Sequence, residues 1–229
     1  MITPNPHLDT LQDIKQMMER SSRFISLSGF SGIAAGTCAL VGAWFARDVL
    51  KNSEFYFEIG DGSVIRGNDY KKLFDNGVLN PTVKYNALQE QLFLIAGVTL
   101  IAAFTLSFLF TYLRSKKTNT PIWGTTAKRL LINVSIPMIV GGIFLLKMLP
   151  YGTFGLIAPG CLLFYGLALV NASKYTLGEV RYLGYGQIIL GIINLSFVGK
   201  GIYFWAMGFG VLHIIYGVVM WWKYERTAT

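Results

Sequence analysis

Gln187, Asn194 and His213 are polar side chains set inside long apolar runs, and the hydroxyls of Tyr165 and Tyr216 fall in runs of the same kind. Gln187 and Asn194 stand seven residues apart, close to two helical turns, and so share a helix face. If His213 meets that face, the five side chains line a small pocket able to hydrogen-bond a neutral or anionic solute. A lone buried histidine serves more often in packing than as a ligand or acid–base group. Polar residues within a membrane are, however, costly and commonly functional. A second candidate is a collar of cations, Arg47, Lys147 and Lys200, each close to the same predicted ends of apolar segments. Such a collar would collect an anionic lipid or solute, whereas a lysine near a helix end ordinarily snorkels to the headgroups.

Other chemistry lacks its residues. No Asp or Glu sits well inside an apolar segment, because Asp48, Glu90, Glu179 and Glu225 all fall at edges or in connections. This argues against a carboxylate proton or cation relay. With His7 and His213 as the only histidines, paired-histidine haem or metal ligation cannot be assembled in one chain. The sequence has no His-Glu-x-x-His motif, no Gly-x-Ser-x-Gly elbow and no glycine loop followed by Lys-Ser/Thr. The expectation is a non-enzymatic protein with no metal and no cofactor.

The elements that must carry these residues are six apolar segments, at 24–46, 92–113, 130–149, 154–172, 183–198 and 202–222. A helix needs about 20 largely apolar residues to cross the hydrocarbon core. In lipid the backbone must satisfy its own hydrogen bonds, so helices are the expected spanning form. The 229 residues are 53% hydrophobic and 14% charged, too apolar for one soluble core. The fold expected is an all-α membrane protein, a six-transmembrane-helix bundle occupying 24–222. Its formal charge of +8 lies in cations at segment ends, which topology explains without nucleic acid.

Lys and Arg divide unevenly between the two sides. Twelve fall in the N-terminal segment, the second and fourth connections and the tail, against eight on the other side. The positive-inside rule then puts both termini in the cytoplasm. Residues 1–23 carry Leu8, Leu11, Ile14 and Met18 at helical spacing beside Lys15, Arg20 and Arg23, which reads as an amphipathic helix on the inner leaflet or on the bundle. Residues 223–229 form a short cytoplasmic tail. The one sizeable extramembrane piece, 49–91, reads as an extracytoplasmic cap. Within it, Phe55, Phe57 and Ile59, then Asp61-Gly62, then Val64 and Ile65, suggest a β-hairpin. Further turns are expected at Asp75-Asn76-Gly77 and Pro81.

Ser28, Gly32 and Gly36 recur at four-residue steps on one face of the first segment, a small-residue ridge of the kind that packs helices closely in lipid. Gly184, Gly186, Gly191, Gly208, Gly210 and Gly217 suggest the same role in segments five and six. A faint echo relates Tyr165-Gly166 and Lys174-Tyr175 to Tyr216-Gly217 and Lys223-Tyr224. It fits either a hairpin repeat or the ordinary anchoring of Tyr and Lys at a membrane interface. Cys38 and Cys161, both within apolar segments, read as packing residues.

The run Met17-Met18-Glu19-Arg20-Ser21-Ser22-Arg23-Phe24-Ile25-Ser26-Leu27-Ser28-Gly29, with the ending His213-Ile214-Ile215-Tyr216-Gly217, resembles a group of uncharacterised six-span bacterial inner-membrane proteins. The resemblance implies a bacterial inner membrane and assigns no catalytic or binding residue. The expected function is a binding, accessory or regulatory membrane component, whose partners are the bilayer and either an anionic lipid or another membrane protein. The alternative is a carrier or channel for a small neutral or anionic solute. The first predicts a tightly packed interior and the second a continuous polar cavity.

Overall fold

The computed structural model describes residues 28–52, 56–58, 64–66, 86–118, 122–151 and 153–226. The amphipathic stretch at 1–23, the turn at Asp61-Gly62 and most of the cap region at 49–91 lie outside the described residues, as does the end of the tail. The described chain is a bundle of helices. These are α1 (Gly29–Asn52), α2 (Asn86–Thr118), α3 (Thr125–Met148), α4 (Ile157–Ala172), α5 (Glu179–Leu195) and α6 (Gly201–Tyr224). Between α1 and α2, β1 (Tyr56–Glu58) pairs antiparallel with β2 (Val64–Arg66), and Tyr56 stands opposite Arg66.

Five of the helices are long and apolar enough to cross a membrane. The exception is α5, whose 17 residues reach about 25 Å at 1.5 Å per residue. It nevertheless runs antiparallel to α6 along most of that helix. Glu179 at its start accepts hydrogen bonds from Lys223 and Tyr224 at the end of α6, and Asn194 near its finish lies beside Gly201 at the start. The turn between α5 and α6 uses Gly199 at φ 93°, a left-handed conformation that only glycine adopts without a steric cost.

The bundle joins sequence neighbours and one pair that is remote in the chain, α1 with α6. α1 packs on α2 and along the whole of α6, α4 packs most extensively on α5, and α3 lies against α4. Among the described residues α2 and α3 make no extended contact with each other. Single hydrogen bonds mark the two outer pairings: Ser107 donates to the Ser31 carbonyl at 3.0 Å, and Asn171 to the Asn133 carbonyl at 3.4 Å. Outward faces of α2 and α3 carry exposed Leu, Ile, Val and Phe, including Leu100, Phe104, Ile139 and Ile143. That composition suits contact with acyl chains.

Glycine sets the inner spacing. A Cβ on Gly29 would come within 2.5 Å of the Gly217 carbonyl oxygen, and one on Gly36 within 2.6 Å of that of Gly210. Gly32 sits against the Gly217 Cα, where a Cβ would stand at 3.1 Å. The same relation holds between α4 and α5, where a Cβ on Gly166 would meet the Gly184 carbonyl oxygen at 2.8 Å and the reverse distance is 2.9 Å. Lipid offers no hydrophobic drive for helices to associate, so backbone-to-backbone approach of this kind supplies the dispersion contact that holds them.

Candidate functional site

The middle of α6 is a π-helical stretch, Ala206–Leu212 (AMGFGVL), between the α-helical turns Gly201–Trp205 and His213–Tyr224. π-helical turns are uncommon and recur at functional sites. The Gly208 carbonyl in this stretch accepts two side-chain hydrogen bonds, from Gln187 Nε2 at 2.8 Å and from His213 Nδ1 at 3.0 Å. A Cβ on residue 208 would stand 2.5 Å from Gln187 Oε1, so glycine is what admits the amide this close to the backbone.

These bonds define the imidazole. A carbonyl only accepts, so Nδ1 carries the hydrogen, and in the neutral ring Nε2 is then an acceptor. Tyr165 lies 2.8 Å from Nε2 and donates its hydroxyl to it. The result is a chain from Tyr165 through His213 to the Gly208 carbonyl, joined there by Gln187 from α5. Aromatic rings enclose it. Trp205 and Phe209 are 5.0 Å apart, as are Phe209 and Tyr165, and the His213 ring stacks on Tyr165 at 5.5 Å. Trp205, Phe209 and His213 recur every fourth residue in the sequence, a signal that sequence reading centred on polar residues passed over.

Of the five residues expected to form a pocket, the structure brings Tyr165, Gln187 and His213 together. Asn194 is fully buried but stands apart, donating to the Phe197 carbonyl at 3.3 Å. Tyr216 follows His213 by one helical turn, and its buried hydroxyl has no hydrogen-bond partner among the described residues. Gln187 Oε1 and Asn194 Oδ1 are likewise buried without one. Ser28, Gly32 and Gly36 line the α1 face toward α6, with Ser28 hydrogen-bonded to Glu225 at 3.5 Å.

In the collar, Arg47 lies against Tyr203 on α6, with its Nε 3.3 Å from the phenol oxygen. Lys200 sits over the Phe197 ring, 5.8 Å from its centroid. Lys147 is exposed near the end of α3. The Tyr203 amide donates to the Lys200 carbonyl at 3.0 Å, so Arg47 and Lys200 share the neighbourhood of Tyr203.

Two acids at helix ends gather the opposite end of the bundle. Glu225 accepts from the Gly29 amide at 2.5 Å and forms an ion pair with Arg114 at 2.6 Å, linking the start of α1, the end of α2 and the end of α6. A carboxylate at a helix start satisfies an otherwise unbonded amide and complements the helix dipole. Glu179 pairs with Lys223 and accepts from Tyr224 at 2.8 Å. Burial acts to raise the Glu179 carboxyl, but the bonds from Lys223, its own amide and Tyr224 outweigh it and hold the group below the ordinary carboxylate range. Beside this pair lies a cleft of about 350 Å³ lined by Ser173, Gly178, Glu179, Arg181, Tyr182 and Lys223.

Among the described residues no cluster of His, Cys, Asp or Glu could hold a metal ion, and Cys38 and Cys161 are free thiols. No protein-family model, curated protein or solved structure matches the chain.

Proposed function

We propose that this protein is a non-enzymatic binding, accessory or regulatory component of a bacterial inner membrane, a six-span bundle with both termini in the cytoplasm. The observation that supports a non-transporting role is the disposition of its central polar groups. Gln187 is fully buried and His213 nearly so, and both are bonded to the same backbone carbonyl inside a bundle whose helices meet glycine to glycine. A hydrogen-bonded chain of this kind favours one packing arrangement, which supports a packed interior over a polar cavity. Six crossings fit the antiparallel run of α5 along α6. The cytoplasmic orientation draws on Arg114, Lys116, Lys117, Lys128 and Arg129, which occupy the end of α2 and the start of α3.

Native mass spectrometry after gentle extraction tests the role. A partner protein retained at fixed stoichiometry is the expected result, and a chain that travels alone in company with measurable solute flux in proteoliposomes overturns it. Orientation is read by impermeant thiol labelling of Lys200→Cys and Arg226→Cys in a background lacking Cys38 and Cys161. Labelling of intact cells only at position 200 is expected.

A carrier or channel for a small neutral or anionic solute is the second reading. It draws on Gln187 Oε1, Asn194 Oδ1 and the Tyr216 hydroxyl, three buried polar atoms on the facing helices α5 and α6 that have no partner among the described residues. Buried polar groups left unmatched are costly, and a passing solute would supply bonds to them. Under this reading His213→Ala abolishes uptake. Undiminished uptake in that variant sinks it.

A further inference from the structure

We propose that the cleft between the α4–α5 turn and the end of α6 is a headgroup site for an anionic phospholipid, with Arg181 and Lys223 as its phosphate ligands. Only the membrane placement of the bundle is needed for this, not the choice between an accessory and a carrier role. The cleft lies where Glu179 meets Lys223 and Tyr224, at helix ends and therefore at headgroup depth.

Its charges are arranged for an anion. Glu179 is the acid among the lining residues, and Lys223 and Tyr224 already occupy its carboxylate. Arg181 is exposed, and its Nε donates to the hydroxyl of buried Ser173 at 3.4 Å. Among the described residues that is the one hydrogen bond of the guanidinium, and its terminal N–H fork is left for a ligand. A planar fork of two donors matches two phosphate oxygens, which a point charge does not do. Lys223 is engaged by Glu179 and by the neighbouring Tyr224 hydroxyl, which leaves one of its three ammonium hydrogens for a ligand. Tyr182, which lines the cleft, is strongly exposed, as amphipathic rings at the headgroup layer are. The bilayer holds anionic headgroups at high local concentration along this plane, whereas free phosphate must reach the cleft from bulk water, so lipid is the occupant assigned here.

The test uses the full chain in nanodiscs containing equal phosphatidylglycerol and phosphatidylcholine, released into native mass spectrometry. The wild type is expected to retain phosphatidylglycerol in preference. Arg181→Gln and Lys223→Gln should each weaken that preference about tenfold, the worth of one charge-assisted bond. Arg181→Lys, which keeps charge without the fork, should fall between. Lys128→Gln, at an exposed cation near the start of α3 and outside the cleft, should leave the preference intact. Circular dichroism checks each variant's helix content, and if Arg181→Gln does not fold, Arg181→Lys and Lys223→Gln carry the same comparison. Absence of preference in the wild type, or a preference untouched by joint replacement of Arg181 and Lys223, overturns the proposal. Displacement of the lipid by inorganic phosphate at equal concentration overturns lipid as the occupant and assigns the cleft to a soluble anion.

Discussion

The Tyr165 hydroxyl lies 2.8 Å from His213 Nε2, while the other ring nitrogen is committed to the Gly208 carbonyl. The carbonyl thereby sets the tautomer, and one tyrosine on α4 holds the ring of the histidine on α6 by bonding its second nitrogen.

Tyr165→Phe therefore removes a donor without changing the ring that stacks on His213. Nε2 is left as a buried acceptor without its partner, and the cost expected is about 1–3 kcal/mol. Thermal unfolding in detergent checks it. A double variant with His213→Phe should cost less than the sum of the two single variants, because the pair acts as a unit.

Gly184→Ala tests the glycine seam. The added methyl would stand 2.9 Å from the Gly166 carbonyl oxygen and as close to the Val170 side chain, so α4 and α5 must separate. The expected loss is about 1–3 kcal/mol, typical of overpacking. Gly142→Ala, at a position with open space around it, should have no such effect when both are measured by the same unfolding assay.

Glu225→Ala removes the acceptor shared by Ser28, the Gly29 amide and Arg114. Hydrogen bonds to charged groups contribute about 1.5–3 kcal/mol. The Arg114–Glu225 pair is only slightly exposed, at 13% and 16%, so solvent screening removes little of this. Hydrogen exchange should accelerate in the first turn of α1 and leave the middle of α4 and α5 unchanged.

Acid should loosen the Glu179 contact at lower pH than an ordinary carboxylate titrates. Its folded value lies below the 4.5 of a free carboxyl, so its stabilising effect is complete above that pH and is lost as pH falls through the lowered value. The stability advantage of the wild type over Glu179→Gln should be constant near neutrality and vanish in acid. A difference that instead grew on acidification would contradict the assignment of Lys223 and Tyr224 as partners of the ionised form.

Hydropathy reveals the spanning helices because burial in lipid imposes composition on every turn of them, as in α2 and α3. It marks α5 poorly, since Gly184, Gln187, Gly191 and Asn194 face protein and dilute its apolar character. The shared face of Gln187 and Asn194 follows from their spacing, but their different partners do not. Gln187 reaches a carbonyl in a π-helical stretch whose irregularity leaves no period in the sequence. Glu179 and Glu225 look like ordinary acids at segment edges. Their roles depend on which helix ends meet, and that is decided by packing between residues far apart in the chain.

The pairing of α1 with α6 has a consequence in time. The bond from Gly29 to Glu225 spans 196 residues. At about 5–20 residues per second of synthesis, roughly 10–40 s separate the appearance of its two partners. Throughout that interval α1 is in the bilayer with its glycine face open, available to α2 but not yet to the helix it fits most fully. Assembly is therefore governed by arrival of the last helix, and a stalled ribosome short of α6 would leave a membrane-inserted chain with an adhesive surface that quality-control proteases can recognise.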